Sequence, residues 1–191
     1  EIVGEVGDGL ELVQAAVKLE QLDVIVVDIS MPNLNGLEAS QLLQKRGVRA
    51  KIIVLTMHAG IDFAVQALQQ GASGYVLKMD ATEELTQAVR EVMAGRIYIS
   101  PDIANDVREH MMEARGNPSE NNSPWDKLTT REREVLQLVA EGRTMPETAE
   151  ILHISSRTVE RHKYSLMDKL KLYTTAELTQ YAIKYGLIPP P

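Results

Sequence analysis

Three side chains of different chemistry close three apolar, β-branched runs. Asp28 ends Val24–Asp28, Thr56 ends Ile52–Thr56, and Lys78 ends Gly74–Lys78. A carboxylate is a nucleophile that can form an aspartyl-phosphate. A hydroxyl and an ammonium beside it could hold phosphoryl oxygens. Phosphoryl transfer is mostly positioning and charge stabilisation, and these three groups supply both. Polar residues end strands in many doubly wound domains, so Asp28 alone says little. An acid, an alcohol and an amine on three separate strands say more.

Positioning them is the work of the first half of the chain. Strand-like runs are expected at Ile2–Val6, Val24–Asp28, Ile52–Thr56 and Gly74–Lys78, with helices at Gly9–Glu20, Leu37–Arg46, Ile61–Gln70 and Thr82–Ala94. Strands alternating with helices of this length imply βα units, a parallel sheet and helices on both faces. The runs are apolar without alternation, as strands covered on both sides should be, so Val24 to Val27 reads as fully buried. Ligands of such sheets bind beyond the carboxyl ends of the strands, where Asp28, Thr56 and Lys78 stand.

A polar segment with two prolines and a glycine, GNPSENNSPW at 116–125, reads as a linker. An amphipathic stretch before it, Ala104–Ala114, reads as a connecting helix. Beyond the linker no strand pattern survives, and four short helices are legible. The first opens with a Thr129/Glu132 capping box and closes at Gly142. The second opens with Thr144, Glu147 and an early Pro146; the third starts from Ser155; the fourth ends at Gly186.

VVDISMPNLNGLE, IIVLTMH and GASGYVLK resemble the receiver domain of two-component response regulators. The resemblance implies a flavodoxin-like (CheY-like) α/β fold with a parallel sheet. It makes Asp28 the phospho-acceptor, Thr56 the switch hydroxyl, Tyr75 the aromatic that changes rotamer, and Lys78 the contact to phosphoryl oxygens. It also implies Mg²⁺, held by Asp28 and the Ser30 backbone carbonyl together with an acidic pair from the family's first strand. That pair has no counterpart here, because EIVGEVGDGLEL matches the family's second strand and helix. The natural protein is therefore expected to carry roughly 25–30 further N-terminal residues, one strand and one helix. Without their carboxylates, the chain as it stands should bind Mg²⁺ and take up phosphate poorly.

The second half, from Leu128 through Leu170, resembles the LuxR-type helix-turn-helix of the NarL/FixJ response regulators. The matching positions include Arg131-Glu132, Gly142, Ile154-Ser155, Thr158-Val159, His162 and Lys169-Leu170. In the third helix Val159, Leu166 and Leu170 form a core stripe. From Ser155 to Lys171 there are five basic and two acidic residues. A basic helix supported by two others fits a major groove. Its DNA-binding candidates are Arg157, Thr158, Glu160, Arg161, His162, Tyr164, Ser165, Lys169 and Lys171. Arg161 suits a guanine. Glu160 suits a cytosine amino group or simply repels phosphates. A charged helix face is also what solvent alone would produce. In the last helix Leu178, Tyr181, Ala182 and Tyr185 form an apolar face, which the resemblance makes a dimerisation surface.

The chain as a whole agrees with two modules. Its 191 residues are 44% hydrophobic, with a net charge of −7. Residues 1–124 hold 10 basic and 18 acidic side chains and residues 125–191 hold 10 and 9, so the acidity lies in the first module. Cysteine is absent, which excludes disulfides and thiolate chemistry and suits a cytoplasmic protein. No apolar run approaches the roughly 20 residues of a membrane span. The expected divisions are a receiver at 1–100, a connecting helix and linker at 101–124, and a DNA-binding domain at 125–191. The expected partners are promoter DNA, a sensor histidine kinase, and a second copy through the receiver or the last helix. Two rival readings remain open: a receiver that works without phosphorylation, and an aspartyl-phosphate hydrolase. Ser30 stands where haloacid-dehalogenase-type hydrolases want a second Asp.

Overall fold

The β-branched runs pair as parallel strands wherever a neighbour exists. The computed structural model describes residues 1–19, 21–57, 60–116 and 127–189. The expected linker falls, apart from Gly116, outside the described residues. Strands β1 (Val24–Asp28), β2 (Lys51–Thr56), β3 (Gly74–Leu77) and β4 (Tyr98–Ile99) form one sheet in the order β1-β2-β3-β4, parallel throughout. Helices α1 (Gly9–Lys18), α2 (Gly36–Lys45), α3 (Ile61–Gln69) and α4 (Ala81–Met93) follow the expected alternation, and α5 (Pro101–Gly116) is the connecting helix.

The pleat divides the sheet into two faces. Ile25, Val27, Ile52, Val54 and Tyr75 are buried on one, in a core shared with Leu37 and Leu43 of α2 and Phe63 and Ala64 of α3. Ile53 and Val76 are buried on the other, against Ala88 and Val92 of α4 and Tyr98 of β4. Each fully buried aliphatic side chain contributes about 1.5–3 kcal/mol.

Two expectations fail at the β1 side of the sheet. Ile2–Val6 forms no strand, and Ile2, Val3 and Val6 are exposed. A strand needs a partner for its backbone groups, and none of the described strands pairs with this segment. Val26 is 41% exposed, where full burial was expected. β1 is an edge strand, and α4 covers the far side of the sheet at β2, β3 and β4. β1 therefore alternates, with only Ile25 and Val27 turned into the core.

The second half folds as α6 (Thr130–Ala140), α7 (Met145–Leu152), α8 (Ser156–Leu170) and α9 (Thr175–Lys184). Reciprocal capping boxes open α6, α7 and α9, and Ser155 caps α8. Val135, Leu136, Leu138, Val159, Leu166, Leu178 and Ala182 are fully or almost fully buried and hold the four helices together. This is the CheY-like receiver with a small all-helical domain that the sequence implied. One apolar cluster runs from the sheet into the helices of the second half.

Candidate functional site

Asp28 ends β1, and its register partner is Leu55, one residue before Thr56 at the end of β2. Lys78 follows β3 directly. All three residues therefore stand at one rim of the sheet. Lys78 Nζ donates to Asp28 Oδ2 at 2.5 Å, and both side chains are about one-third exposed (32% and 29%). The backbone N–H of Ser30 donates to Asp28 Oδ1 at 3.1 Å. The carboxylate is thus held by an ammonium on one oxygen and by its own loop on the other.

Thr56 lies on the opposite pleat from Asp28. It is fully buried, as is Tyr75, and their hydroxyls are hydrogen-bonded. The register pairs Tyr75 with Val54, which puts the phenol diagonally across from Thr56. Burial pushes the Tyr75 pKa well above the ordinary phenol range, and the Thr56 bond opposes this only in part. The aromatic and the hydroxyl form one buried unit on the face of the sheet opposite the acid.

The loop after Asp28 is shaped by close approaches. A Cβ on Gly36 would lie 2.1 Å from the Asp28 carbonyl oxygen, so only glycine lets α2 begin against the end of β1. Asn35 caps α2 through the Glu38 N–H.

Among the described residues, no group of three or more His, Cys, Asp or Glu side chains is placed to hold a metal ion. Asp28 and the Ser30 carbonyl are an incomplete Mg²⁺ set, and Lys78 occupies one of the two carboxylate oxygens.

The second cluster lies on α8. Arg157, Glu160, Arg161, Tyr164, Asp168 and Lys171 are exposed, Tyr164 at 76%. Thr158 and His162 are half-buried, the former bonded to Ser155 at the helix start. Ser165 and Lys169 turn inward instead. Ser165 Oγ donates to Glu132 Oε1 and Lys169 Nζ to Glu132 Oε2, both at 2.6 Å. Glu132 also accepts from the Thr129 N–H at 2.7 Å. Burial would raise the Glu132 pKa, but the bonds from Lys169, Ser165 and Thr129 outweigh it and hold the value at about 2. Lys171 pairs with Asp168 at the surface.

Sequence reasoning missed a third set, which joins the two halves. Gln137 of α6 is fully buried; its Nε2 donates to the Met31 carbonyl at 2.6 Å, and its Oε1 accepts from the Asn35 N–H at 2.7 Å. The Asn33 N–H donates to Glu141 Oε1, and Arg133 pairs with Glu38 at 3.2 Å. Ser30 Oγ donates to the Gly186 carbonyl, and the Tyr185 ring packs 5.7 Å from Phe63. The available signal was a lone polar residue, Gln137, inside the run Val135–Ala140.

The response regulator receiver domain profile matches residues 2–90, and that of the bacterial regulatory proteins of the luxR family matches residues 126–182. Response regulator UvrY of Escherichia coli (strain K12) is 33% identical over 97% of this chain and 83% of its own length. Oxygen regulatory protein NreC of Staphylococcus carnosus is 37% identical over 98% of this chain and 87% of its own. Among solved structures, RcsB of Salmonella enterica serovar Typhimurium, bound to promoter rprA in the presence of phosphomimetic BeF3−, aligns with a TM-score of 0.61 at 26% identity, covering 95% of this chain and 84% of that one. The strand-end acid, amine and alcohol and the capped helical domain agree with these likenesses, and the chain belongs to the two-component response regulators that join a receiver domain to a LuxR-type DNA-binding domain.

Proposed function

We propose that Asp28 is the phosphoryl acceptor of this regulator and that a sensor histidine kinase is the donor. The ion pair between Lys78 and Asp28 carries the reading. A carboxylate oxygen attacks phosphorus, the donor keeps the electron pair of the broken bond, and an acyl phosphate remains. Lys78, already within 2.5 Å of Asp28, stands where the charge on the transferred group appears. The Thr56 hydroxyl turns toward that group, and Tyr75, hydrogen-bonded to it, follows. Receivers of this family use Mg²⁺ to screen the charge, so binding of Mg²⁺ at this rim is part of the proposal.

The same proposal gives the halves their roles. Residues 1–100 are the receiver, 101–124 connect, and 125–191 bind promoter DNA in the cytoplasm as a homodimer. Arg157, Glu160, Arg161, Tyr164 and Lys171 face the duplex, with Thr158 and His162 at the margin. Ser165 and Lys169 serve instead to fix α8 on α6. Phosphates supply most of the affinity, and Arg161 reads a base edge.

Incubation of the protein with acetyl phosphate and Mg²⁺, followed on phosphate-affinity gels, tests the acceptor. The shifted band should vanish in Asp28→Asn. Equal labelling of that variant would refute the assignment. Catalytic turnover of a small phosphate ester, lost in Asp28→Ala, would favour a hydrolase instead.

A further inference from the structure

The pairing of β3 with β4 stops one residue short of the point where Lys78 leaves the sheet. Gly74 pairs with Tyr98 and Tyr75 with Ile99, and the Ser100 N–H still donates to the Tyr75 carbonyl at 2.9 Å. The next bond of a parallel ladder would run from the Leu77 N–H to the Ser100 carbonyl. That carbonyl has turned into α5, where it accepts from the Ile103 N–H at 3.1 Å. The Ser100 hydroxyl takes its place and accepts from the Leu77 N–H at 2.9 Å. Leu77 and Ser100 are both buried, so losing this bond would strand an amide away from water.

The same hydroxyl donates to Glu84 Oε2, in the first turn of α4. A serine hydroxyl has one proton to give and lone pairs to accept with, so these two bonds fix its direction. Leu77 and Glu84 flank the segment that carries Lys78. A single 3₁₀ turn, Lys78–Asp80, joins β3 to α4 between them. One side chain from the neighbouring strand therefore ties down both ends of that segment. Lys78 is a long, partly exposed side chain whose ammonium meets Asp28 at 2.5 Å. Holding such a chain in one geometry costs conformational freedom, and a fixed backbone beneath it lowers that cost.

We propose that Ser100, oriented by Glu84, is a positioning residue for phosphoryl uptake: it fixes the turn from which Lys78 reaches Asp28. Ser100 touches no reacting atom and acts through Lys78. The proposal rests on the reading of Asp28 as acceptor.

The test is a double-mutant cycle between Ser100→Ala and Lys78→Ala, read by initial rates of labelling with acetyl phosphate and Mg²⁺. Ser100→Ala should label roughly tenfold more slowly, the factor that one buried hydrogen bond of ordinary strength represents. In the Lys78→Ala background the same substitution should change the rate little, because no ammonium is left to place. Glu84→Ala should act like Ser100→Ala, whereas Glu84→Gln, which still offers the hydroxyl an oxygen, should keep the wild-type rate. A second readout needs no phosphate. The nitrogen resonance of the Lys78 ammonium, which reports its contact with Asp28, should move in Ser100→Ala and in Glu84→Ala. Unaltered labelling in Ser100→Ala, an equal loss with and without Lys78, or an unmoved resonance would overturn the proposal. Wild-type protein that takes no label would sink the acceptor reading, while the resonance would still decide whether Ser100 places Lys78.

Discussion

Replacing Glu132 by Gln should loosen the recognition helix from the domain that carries it. The carboxylate takes bonds from Thr129 at the start of α6 and from Ser165 and Lys169 of α8, and its side chain is 4% exposed. A carboxyl held at about 2 gains, relative to an ordinary glutamate, an upper limit of about 3 kcal/mol in favour of its charged form. Glutamine keeps a bond to Ser165 but loses the ion pair, so a loss of about 1–3 kcal/mol is expected at neutral pH. The folded value lies below the unfolded one. The stabilisation is therefore complete above the ordinary glutamate value and fades as pH falls from there toward 2. Urea unfolding followed by circular dichroism at several pH values reads this directly. The variant should be weaker at pH 7, with the gap narrowed to about half by pH 3 and closing only toward pH 2 and below. Equal midpoints at pH 7, or a gap that persists at low pH, would refute the reasoning.

Three further outcomes are expected. Gly36→Ala places a methyl 2.1 Å from the Asp28 carbonyl oxygen, so the turn must shift; thermal unfolding should show about 1–3 kcal/mol lost, and an unchanged melting temperature would contradict the close approach. Burial lifts the pKa of both Glu38 and Glu141, opposed by Arg133 and by Gln137 respectively, so protonation favours the docked state. This contribution is present at acidic pH and lost as pH rises through the lifted values; Asn35 amide exchange, corrected for its intrinsic pH dependence, should show tighter docking on mild acidification. Arg161→Ala should weaken binding to duplex DNA and reduce the salt slope by about 1 if it meets a phosphate, or cost about 1–3 kcal/mol at one base position if it reads a guanine. An unaffected titration curve would remove α8 from the interface.

Residues that act within one element were legible in the sequence. β1, β2 and β3 and the helices around them were readable from apolar period and length, and the capping boxes at Thr129 and Thr144 from spacing alone. The gathering of Asp28, Thr56 and Lys78 at one rim followed from strand polarity. What escaped depends on neighbours that no local pattern encodes. Ile2–Val6 has strand composition, yet composition cannot supply a partner strand. β4 has only two residues, Tyr98 and Ile99, too few to show a period. Val26 is chemically a core residue but sits at an edge. Ser165 and Lys169 were read as DNA contacts because basic and hydroxyl side chains on a recognition helix serve that purpose; their bonds to Glu132, on another helix, follow no local pattern. Arg133, Gln137 and Glu141 meet partners about 100 positions away.

The central claim is that Asp28 takes up a phosphoryl group with Lys78 beside it. Borohydride reduces an acyl phosphate to the alcohol, which marks the acceptor as homoserine. Full-length protein treated with acetyl phosphate and Mg²⁺, then borohydride, should yield a peptide with homoserine at position 28, and Lys78→Ala should lose most of that product. Homoserine at another position, or an equal yield from Lys78→Ala, would contradict the account.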